Sequence, residues 1–180
     1  MRIAVSCGHT LKGAGSGAVY NYFNESEIVR AVGYELIDIL ERKGHIAYNC
    51  TIDKASSQND YLKKSVAMVN NSDCDLAISL HCNASANHKG QGIEVYTWNG
   101  YKHKEAVNII SQYEKSGFRN RGIKKGNHLF FLKKTNPRAM LIELFFLDNN
   151  QDRKLYNKLG HKQLARLIYY GLTSKWKLFN

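Results

Sequence analysis

Proline is almost missing from this chain, one residue in 180, which removes the Pro-rich and collagen-like readings. No uninterrupted apolar run approaches the roughly 20 residues that a membrane helix needs, so no membrane span is expected. Acidic residues are scarce too: 15 Asp and Glu stand against 26 Lys and Arg, a formal net charge of +11. Such an excess speaks of partners rather than of fold. It suits nucleic acid, an anionic membrane surface, an anionic wall polymer or simply a basic soluble protein. The pairs Lys63-Lys64, Lys124-Lys125 and Lys133-Lys134 are scattered, and no nuclear-localisation type of basic run forms. The four cysteines, Cys7, Cys50, Cys74 and Cys82, include no Cys-x-x-Cys pair. That excludes a zinc ribbon and a thioredoxin-type site. The N-terminus lacks the apolar core and small-residue cleavage site of a secretory signal, so synthesis in a reducing cytosol with free thiols is expected.

What is present is the composition of a globular protein. Apolar residues make up 43% and charged residues 23%, which excludes disorder as the whole answer and suits one domain with a sizeable core. Short apolar runs alternate with segments of helical period. Residues 3–5 form a compact run closed by Gly8, and a loop through Gly13, Gly15 and Gly17 follows. Over residues 25–43, Ile28, Val29, Val32, Leu36, Ile39 and Leu40 make one helical stripe, ended by Gly44. Residues 45–52 read as a strand and 60–70 as a helix. The near-continuous run from Leu76 to Leu80 marks a strand buried on both faces. Residues 93–98 are another strand candidate, and 105–113 are helical in period. Leu129 to Leu132 and Met140 to Leu144 are further apolar runs, and Leu155 to Leu172 carries the stripe of a closing helix. Strands separated by helices predict a single α/β domain, a mostly parallel twisted sheet with helices on both faces.

Ligands of such sheets bind outside the carboxyl ends of the strands. His9 follows the first strand, His81 follows Ile78-Ser79-Leu80, Glu143 ends Met140-Leu141-Ile142, and Glu25 opens the first long helix. Two histidines and one carboxylate are the donor set of a catalytic zinc site, with a fourth position for water. The metal lowers the pKa of that water towards about 7 and polarises a carbonyl oxygen. A further carboxylate must then carry the proton, and Glu143 could do so. Its apolar neighbours make an unpaired charge costly, so it must pair with a cation, stay neutral or do chemistry. A structural salt bridge is the plain alternative. Taken singly, His9 and His81 also fit ordinary histidines, and Glu25 a first-turn acid favoured by the helix dipole.

Cys7 and Cys82 lie beside His9 and His81, which raises a closed structural zinc site of two cysteines and two histidines. Adjacent side chains of an extended chain point to opposite faces, which argues against it. The loop Gly13-Ala14-Gly15-Ser16-Gly17 lacks the lysine of a phosphate loop and the strand–turn–helix setting of a dinucleotide fingerprint. No Gly-x-Ser-x-Gly elbow occurs.

Cys7-Gly8-His9, Asn24-Glu25, Ser79-Leu80-His81-Cys82-Asn83-Ala84 and Ile142-Glu143-Leu144-Phe145-Phe146-Leu147-Asp148-Asn149 follow in that order, with Gly90-Gln91-Gly92-Ile93-Glu94-Val95 before the last. Together they resemble the zinc-dependent N-acetylmuramoyl-L-alanine amidases, the family of large bacterial cell-wall amidases and many phage endolysins, over nearly the whole chain. The resemblance implies a six-stranded, mainly parallel sheet flanked by helices. It implies one zinc ion held by His9, Glu25 and His81, with Glu143 as catalytic acid and base. The implied reaction is hydrolysis of the amide between N-acetylmuramic acid and the L-alanine of the stem peptide, so the implied partner is the peptidoglycan of the bacterial cell wall. Asn83, two residues after a ligand, would orient substrate or, more simply, fix the local turn.

The chain departs from the family's common Asp-x-Gly-His-Gly-Gly with Ser6-Cys7-Gly8-His9-Thr10-Leu11. That bears on the partner of the other His9 ring nitrogen. Glu143-Leu144-Phe145-Phe146 stands where Glu-x-Gly-Phe is usual, a bulkier edge that is expected to reshape the substrate groove. The short form, with no inserted regulatory helix, looks most like the endolysin branch or a prophage or sporulation relative. Such a protein is made in the cytoplasm without a signal peptide and acts on the wall after release. The catalytic domain is expected over residues 1–175, with 176–180 a tail or the start of a linker. The surplus of lysine would help accumulation on anionic wall polymers. The rival readings are a zinc peptidase or deacetylase on a related sheet, and a non-enzymatic basic binding domain. No RNA-binding aromatic motif or zinc-finger spacing supports nucleic acid as the partner.

Overall fold

The structure is a computed structural model that describes residues 1–13 and 15–173. In chain order its elements are β1 (Arg2–Cys7), β2 (Val19–Tyr20), β3 (Phe23–Asn24), α1 (Glu25–Arg42), β4 (Ile46–Asn49), α2 (Gln58–Asn71), β5 (Leu76–Asn83), β6 (Ile93–Thr97), α3 (Lys104–Lys115), β7 (Asn120–Lys125), α4 (Phe130–Lys134), β8 (Arg138–Phe146) and α5 (Asn150–Thr173). Six strands form one sheet in the order β4-β1-β5-β8-β6-β7. Every neighbouring pair is parallel except β6 with β8. The chain thus adopts the expected class, a mostly parallel six-stranded sheet between helices.

The pleat sorts side chains by parity. Ile3, Val5 and Cys7, then Leu76, Ile78 and Leu80, then Met140, Ile142 and Leu144 share one core with the apolar stripes of α1, α3 and α5. Ala4, Ala77, Ala139 and Leu141 face the other way and pack with Val66 and Val69 of α2 and Phe131 and Leu132 of α4. Fully burying each Leu or Ile of the first core stabilises by roughly 1.5–3 kcal/mol. The start of α1 is set locally. Asn24 caps it by accepting the Ser26 N–H at 3.0 Å, and Glu25 and Glu27 occupy the first turn.

Several elements differ from expectation. The strand expected over 45–52 is only β4, a sheet edge bonded to β1 alone. The run from Leu129 to Leu132 falls in and beside α4, which is too short to display a helical period. The β2–β3 hairpin and the polar edge strand β7, Asn-Arg-Gly-Ile-Lys-Lys, carry no apolar pattern. The closing helix is interrupted at Gly160. Positions 174–180, and with them the tail expected at 176–180, lie outside the described residues. Among the described residues no helix is long and apolar enough to cross a membrane.

Candidate active site

His81 of β5 and Glu143 of β8 stand side by side across a parallel pair, and Glu94 of β6 stands opposite Glu143 on its other side. Both strands run further than the apolar runs suggest, to Asn83 and Phe146. Each has a bonded neighbour on both sides, so polar residues continue the ladder. His81 and Glu143 therefore lie within the strands near their carboxyl ends, not just past them. Cys82 and Cys7 belong to the core on the α1 side of the sheet. Parity turns them away from His81, which excludes the two-cysteine, two-histidine site. Burial raises the Cys7 thiol to about 11, as suits an inert core residue.

His9 leaves β1 through Gly8 and takes a left-handed backbone with φ +66°, a conformation that costs a non-glycine residue about 1–3 kcal/mol. Arg30 of α1 holds it there. The buried guanidinium donates to the carbonyl oxygens of His9 at 2.9 Å, Ile52 at 3.1 Å and Ser26 at 2.9 Å, and its Nε pairs with Asp53 at 2.9 Å. Gly8 gives the close approach: a Cβ there would stand 2.4 Å from the His81 ring and 2.7 Å from the Leu80 carbonyl oxygen. The His9 N–H donates to the Tyr61 hydroxyl at 2.9 Å.

His9 Nδ1 lies 2.9 Å from the Gly15 carbonyl oxygen. A carbonyl only accepts, so Nδ1 carries a proton, and in the neutral ring Nε2 presents a lone pair. The backbone of the glycine loop thus supplies the partner of the other His9 ring nitrogen. Gly17 of the same loop, at φ +84°, lies so close that a Cβ would meet the His9 ring at 2.9 Å and Glu25 Oε2 at 3.0 Å.

Glu25 is fixed by backbone on both oxygens. Oε2 accepts the Ala18 N–H at 2.9 Å and Oε1 the Cys82 N–H at 3.0 Å. Oε1 then lies 3.0 Å from His9 Nε2 and 3.1 Å from His81 Nδ1, and the two nitrogens are 3.2 Å apart. Burial pushes the Glu25 carboxyl up, but hydrogen bonds from His81 and His9 outweigh it, and the net shift is downward. For His9, burial lowers the pKa, the Glu25 carboxylate raises it by more, and the net shift is upward. Three electron-rich atoms this close need positive charge among them, either ring protons or a metal ion. A tetrahedral ion with bonds of about 2.0–2.1 Å would keep its ligand atoms roughly 3.3–3.4 Å apart. The observed spacings are near that. Among the described residues, His9, Glu25 and His81 are the one group of three such side chains that could hold a metal.

Glu143 is half-buried beside them, and its Oε2 is buried with no hydrogen-bond partner. Burial first, then the charges of Glu25 and Glu94, holds its carboxyl well above the usual carboxylate range. Among the described residues Glu143 forms no salt bridge; nearby Arg121 is bound at 2.7 Å by Glu94. Glu94 also accepts from Asn83 Nδ2 at 2.8 Å and from the Tyr96 hydroxyl at 3.0 Å. Asn83 Oδ1 takes the Ala84 N–H at 2.9 Å, so both ends of its amide are engaged at the end of β5. A cavity of about 310 Å³ opens beside His81, lined by Tyr61, Leu62, His128, Phe130 and Phe131. Arg30, Gly15, Glu94 and Arg121 were not legible as site residues. The one available signal was a charged residue set inside an apolar stripe, in Val29-Arg30 and in Ile93-Glu94-Val95.

Fold and donor set define a class: α/β proteins with a candidate metal centre at the carboxyl edge of a parallel sheet. Comparison with known proteins narrows this. Residues 3–174 match the N-acetylmuramoyl-L-alanine amidase family, and the chain belongs to it. The catalytic domain of the CD27L endolysin targeting Clostridia Difficile superposes with a TM-score of 0.86 at 32% identity, covering 96% of each chain. A germination-specific N-acetylmuramoyl-L-alanine amidase of Bacillus subtilis is 25% identical over 175 residues, 89% of this chain and 74% of that one. An uncharacterized protein of Clostridium perfringens is 29% identical over 97% of this chain, which spans about half, 52%, of that relative's length.

Proposed function

We propose that this domain hydrolyses the amide between N-acetylmuramic acid and L-alanine in peptidoglycan, with one zinc ion on His9, Glu25 and His81. The observation that carries the reading is the convergence of three donor atoms at 3.0–3.2 Å next to the Glu143 carboxyl, whose Oε2 is buried without a hydrogen-bond partner. Zinc bound there would polarise the scissile carbonyl and make a nucleophile of water near neutral pH. Glu143 accepts the proton of the attacking water and delivers it to the alanine nitrogen as that nitrogen leaves. A neighbouring dication favours the ionised form of this carboxyl and draws its raised pKa down to where it can act as base. Glu94 is unsuited to that task because Arg121, Asn83 and Tyr96 already occupy it. Asn83 holds the end of β5 against Glu94. The Gly15 carbonyl and Arg30 keep the His9 ring and backbone in register. The site of action is the bacterial wall, reached after release from the cytoplasm where the chain is made. A lytic setting fits the name of the endolysin relative, and a germination setting that of the Bacillus subtilis amidase.

The test is loss of turbidity of purified Gram-positive walls. It compares the protein as isolated, Glu143→Ala, and protein stripped by chelator and refilled with zinc. The expected result is clearing that vanishes in the variant and on stripping, returns with zinc, and releases new alanine amino termini. Released acetate would indicate a deacetylase, and new amino termini within the stem peptide a peptidase. Clearing indifferent to zinc and to Glu143 would overturn the mechanism.

A further inference from the structure

A second cavity, of about 360 Å³, lies at the other end of the sheet, where Trp98, Tyr101, Lys133 and Arg138 line it together with Pro137. Arg138 opens β8, and Glu143 follows five positions on, roughly 17 Å away along an extended strand. This site is therefore not part of the donor cluster. Trp98 and Tyr101 are 39% and 60% exposed, high for such large rings.

The turn that presents them is rigidly built. Asn99 and Gly100 are both left-handed, at φ +55° and +73°. The Asn99 N–H donates to Asn127 Oδ1 at 2.8 Å, and the Asn127 amide donates back to Asn99 Oδ1. The buried Thr97 hydroxyl donates to the Tyr101 carbonyl at 2.8 Å. Strain that the surroundings hold in place this firmly is typical of ligand clamps. The charge is one-sided. Among the described residues no acidic side chain lines the cavity. Glu105, just outside, is bound by Arg138 at 2.7 Å. Lys102, Lys104 and Lys134 flank the lining residues in sequence.

We propose that this cavity is a second, non-catalytic site for a phosphate-bearing glycopolymer of the bacterial wall. A sugar ring packs on Trp98 and Tyr101, and the phosphodiester meets Lys133, beside the Arg138 that Glu105 holds. A neutral glycan would leave Lys133 unused, and a bare polyphosphate would leave the rings unused. The volume suits a ligand of one or two sugar units. The choice of a wall polymer rests on the proposed function. The existence of the site does not.

The probe is a glucosylated glycerol-phosphate oligomer, titrated calorimetrically into the folded protein, with linear polyphosphate and a neutral chitooligosaccharide as comparisons. Thermal melts check that Trp98→Ala and Lys133→Gln fold. The glucosylated oligomer is expected to bind, and each substitution to weaken it about ten-fold. Polyphosphate binds more weakly and is indifferent to Trp98→Ala. Hydrolysis of a soluble muramyl peptide stays within about two-fold in both variants, which separates the cavity from the reaction. Walls freed of phosphodiester polymers by hydrofluoric acid retain wild type and variants equally. The proposal is overturned by absent binding, by binding unchanged in both variants, or by preference for the chitooligosaccharide, which would assign the cavity to the glycan strand. Failed hydrolysis with intact oligomer binding would count against the active-site reading alone.

Discussion

Two groups of acids and histidines sit at the same edge of the sheet, and only one of them gathers three ligating atoms around a point. In the loops after β5 and β8, Asp148 Oδ2 accepts the Ser85 N–H at 2.9 Å, the Ser85 hydroxyl at 3.1 Å and His88 Nδ1 at 2.9 Å. Asp152 Oδ2 accepts the N–H groups of Gly92 at 2.7 Å and Phe146 at 2.9 Å. Donors there point at one oxygen of each acid, and the group latches the loop after β5 to the start of α5. At His9, Glu25 and His81 three atoms that can each ligate a metal converge at 3.0–3.2 Å, and backbone and Arg30 hold them in that posture. Asp148-Asn149 and His81 belong to equally recognisable motifs. Motif membership alone does not tell architecture from chemistry; the convergence of three ligating atoms does.

The sharpest break between the groups is in rate. Glu143→Gln keeps the shape and removes the proton carrier, so hydrolysis should fall about 10²–10⁴-fold while zinc is still retained. Activity surviving in that variant, measured on a soluble muramyl peptide, would erase the distinction drawn here. His81→Ala should remove the metal response instead. Wild type at a free zinc concentration of 100 Kd gains about 2.7 kcal/mol of stability, and calorimetric melts of the variant should show none of it. Asp152→Ala should show the opposite profile. It strands the N–H groups of Gly92 and Phe146, at about 1–3 kcal/mol each if they stay dry. Activity per folded molecule and zinc uptake should change little, as read by urea unfolding beside the same assay.

The fold class was legible because the central strands are apolar on both faces and α1 has a clean stripe ended by Gly44. β7 and the β2–β3 hairpin were not, since edge elements bury too little to impose a pattern. The four principal side chains were legible as residues at strand ends and a helix start. Their convergence was not, because it depends on contacts distant in sequence. His9 reaches Glu25 only through the left-handed turn that Arg30 clamps, and its ring is set by Gly15, in a loop whose glycines invite a nucleotide reading. Glu94 and Arg121 pair through β6 and an edge strand that leaves no apolar trace. Asp148 stands inside a recognisable motif and Asp152 in none, and nothing local says that loop N–H groups will close on either.

The smallest expected effect separates the two groups by their response to zinc. Burial holds Glu143 above its ordinary value of 4.5. Between 4.5 and its folded value the native state keeps a proton that the unfolded chain has lost, so stability falls as pH rises through that window. Asp152 is also raised, chiefly by burial, and contributes a decline of the same sign above its ordinary value of 3.8. Glu25 is depressed, so its stabilisation is present above 4.5 and is lost as pH falls. Metal-free protein should therefore lose stability on both sides, in acid through Glu25 and as pH rises through Glu143 and through His9, whose raised pKa gives stabilisation that is lost above its ordinary value of 6.5. Zinc should change the rising-pH limb as far as Glu143 and His9 cause it, because a dication beside them lowers their folded pKa values. Thermal melts from pH 5 to 8 would test this. Glu143→Gln should flatten part of the metal-free curve and reduce the change in slope on adding zinc to the share that His9 carries. Asp152→Asn should leave the zinc-induced change intact. Equal zinc sensitivity in both variants would mean that the two groups are one coupled network.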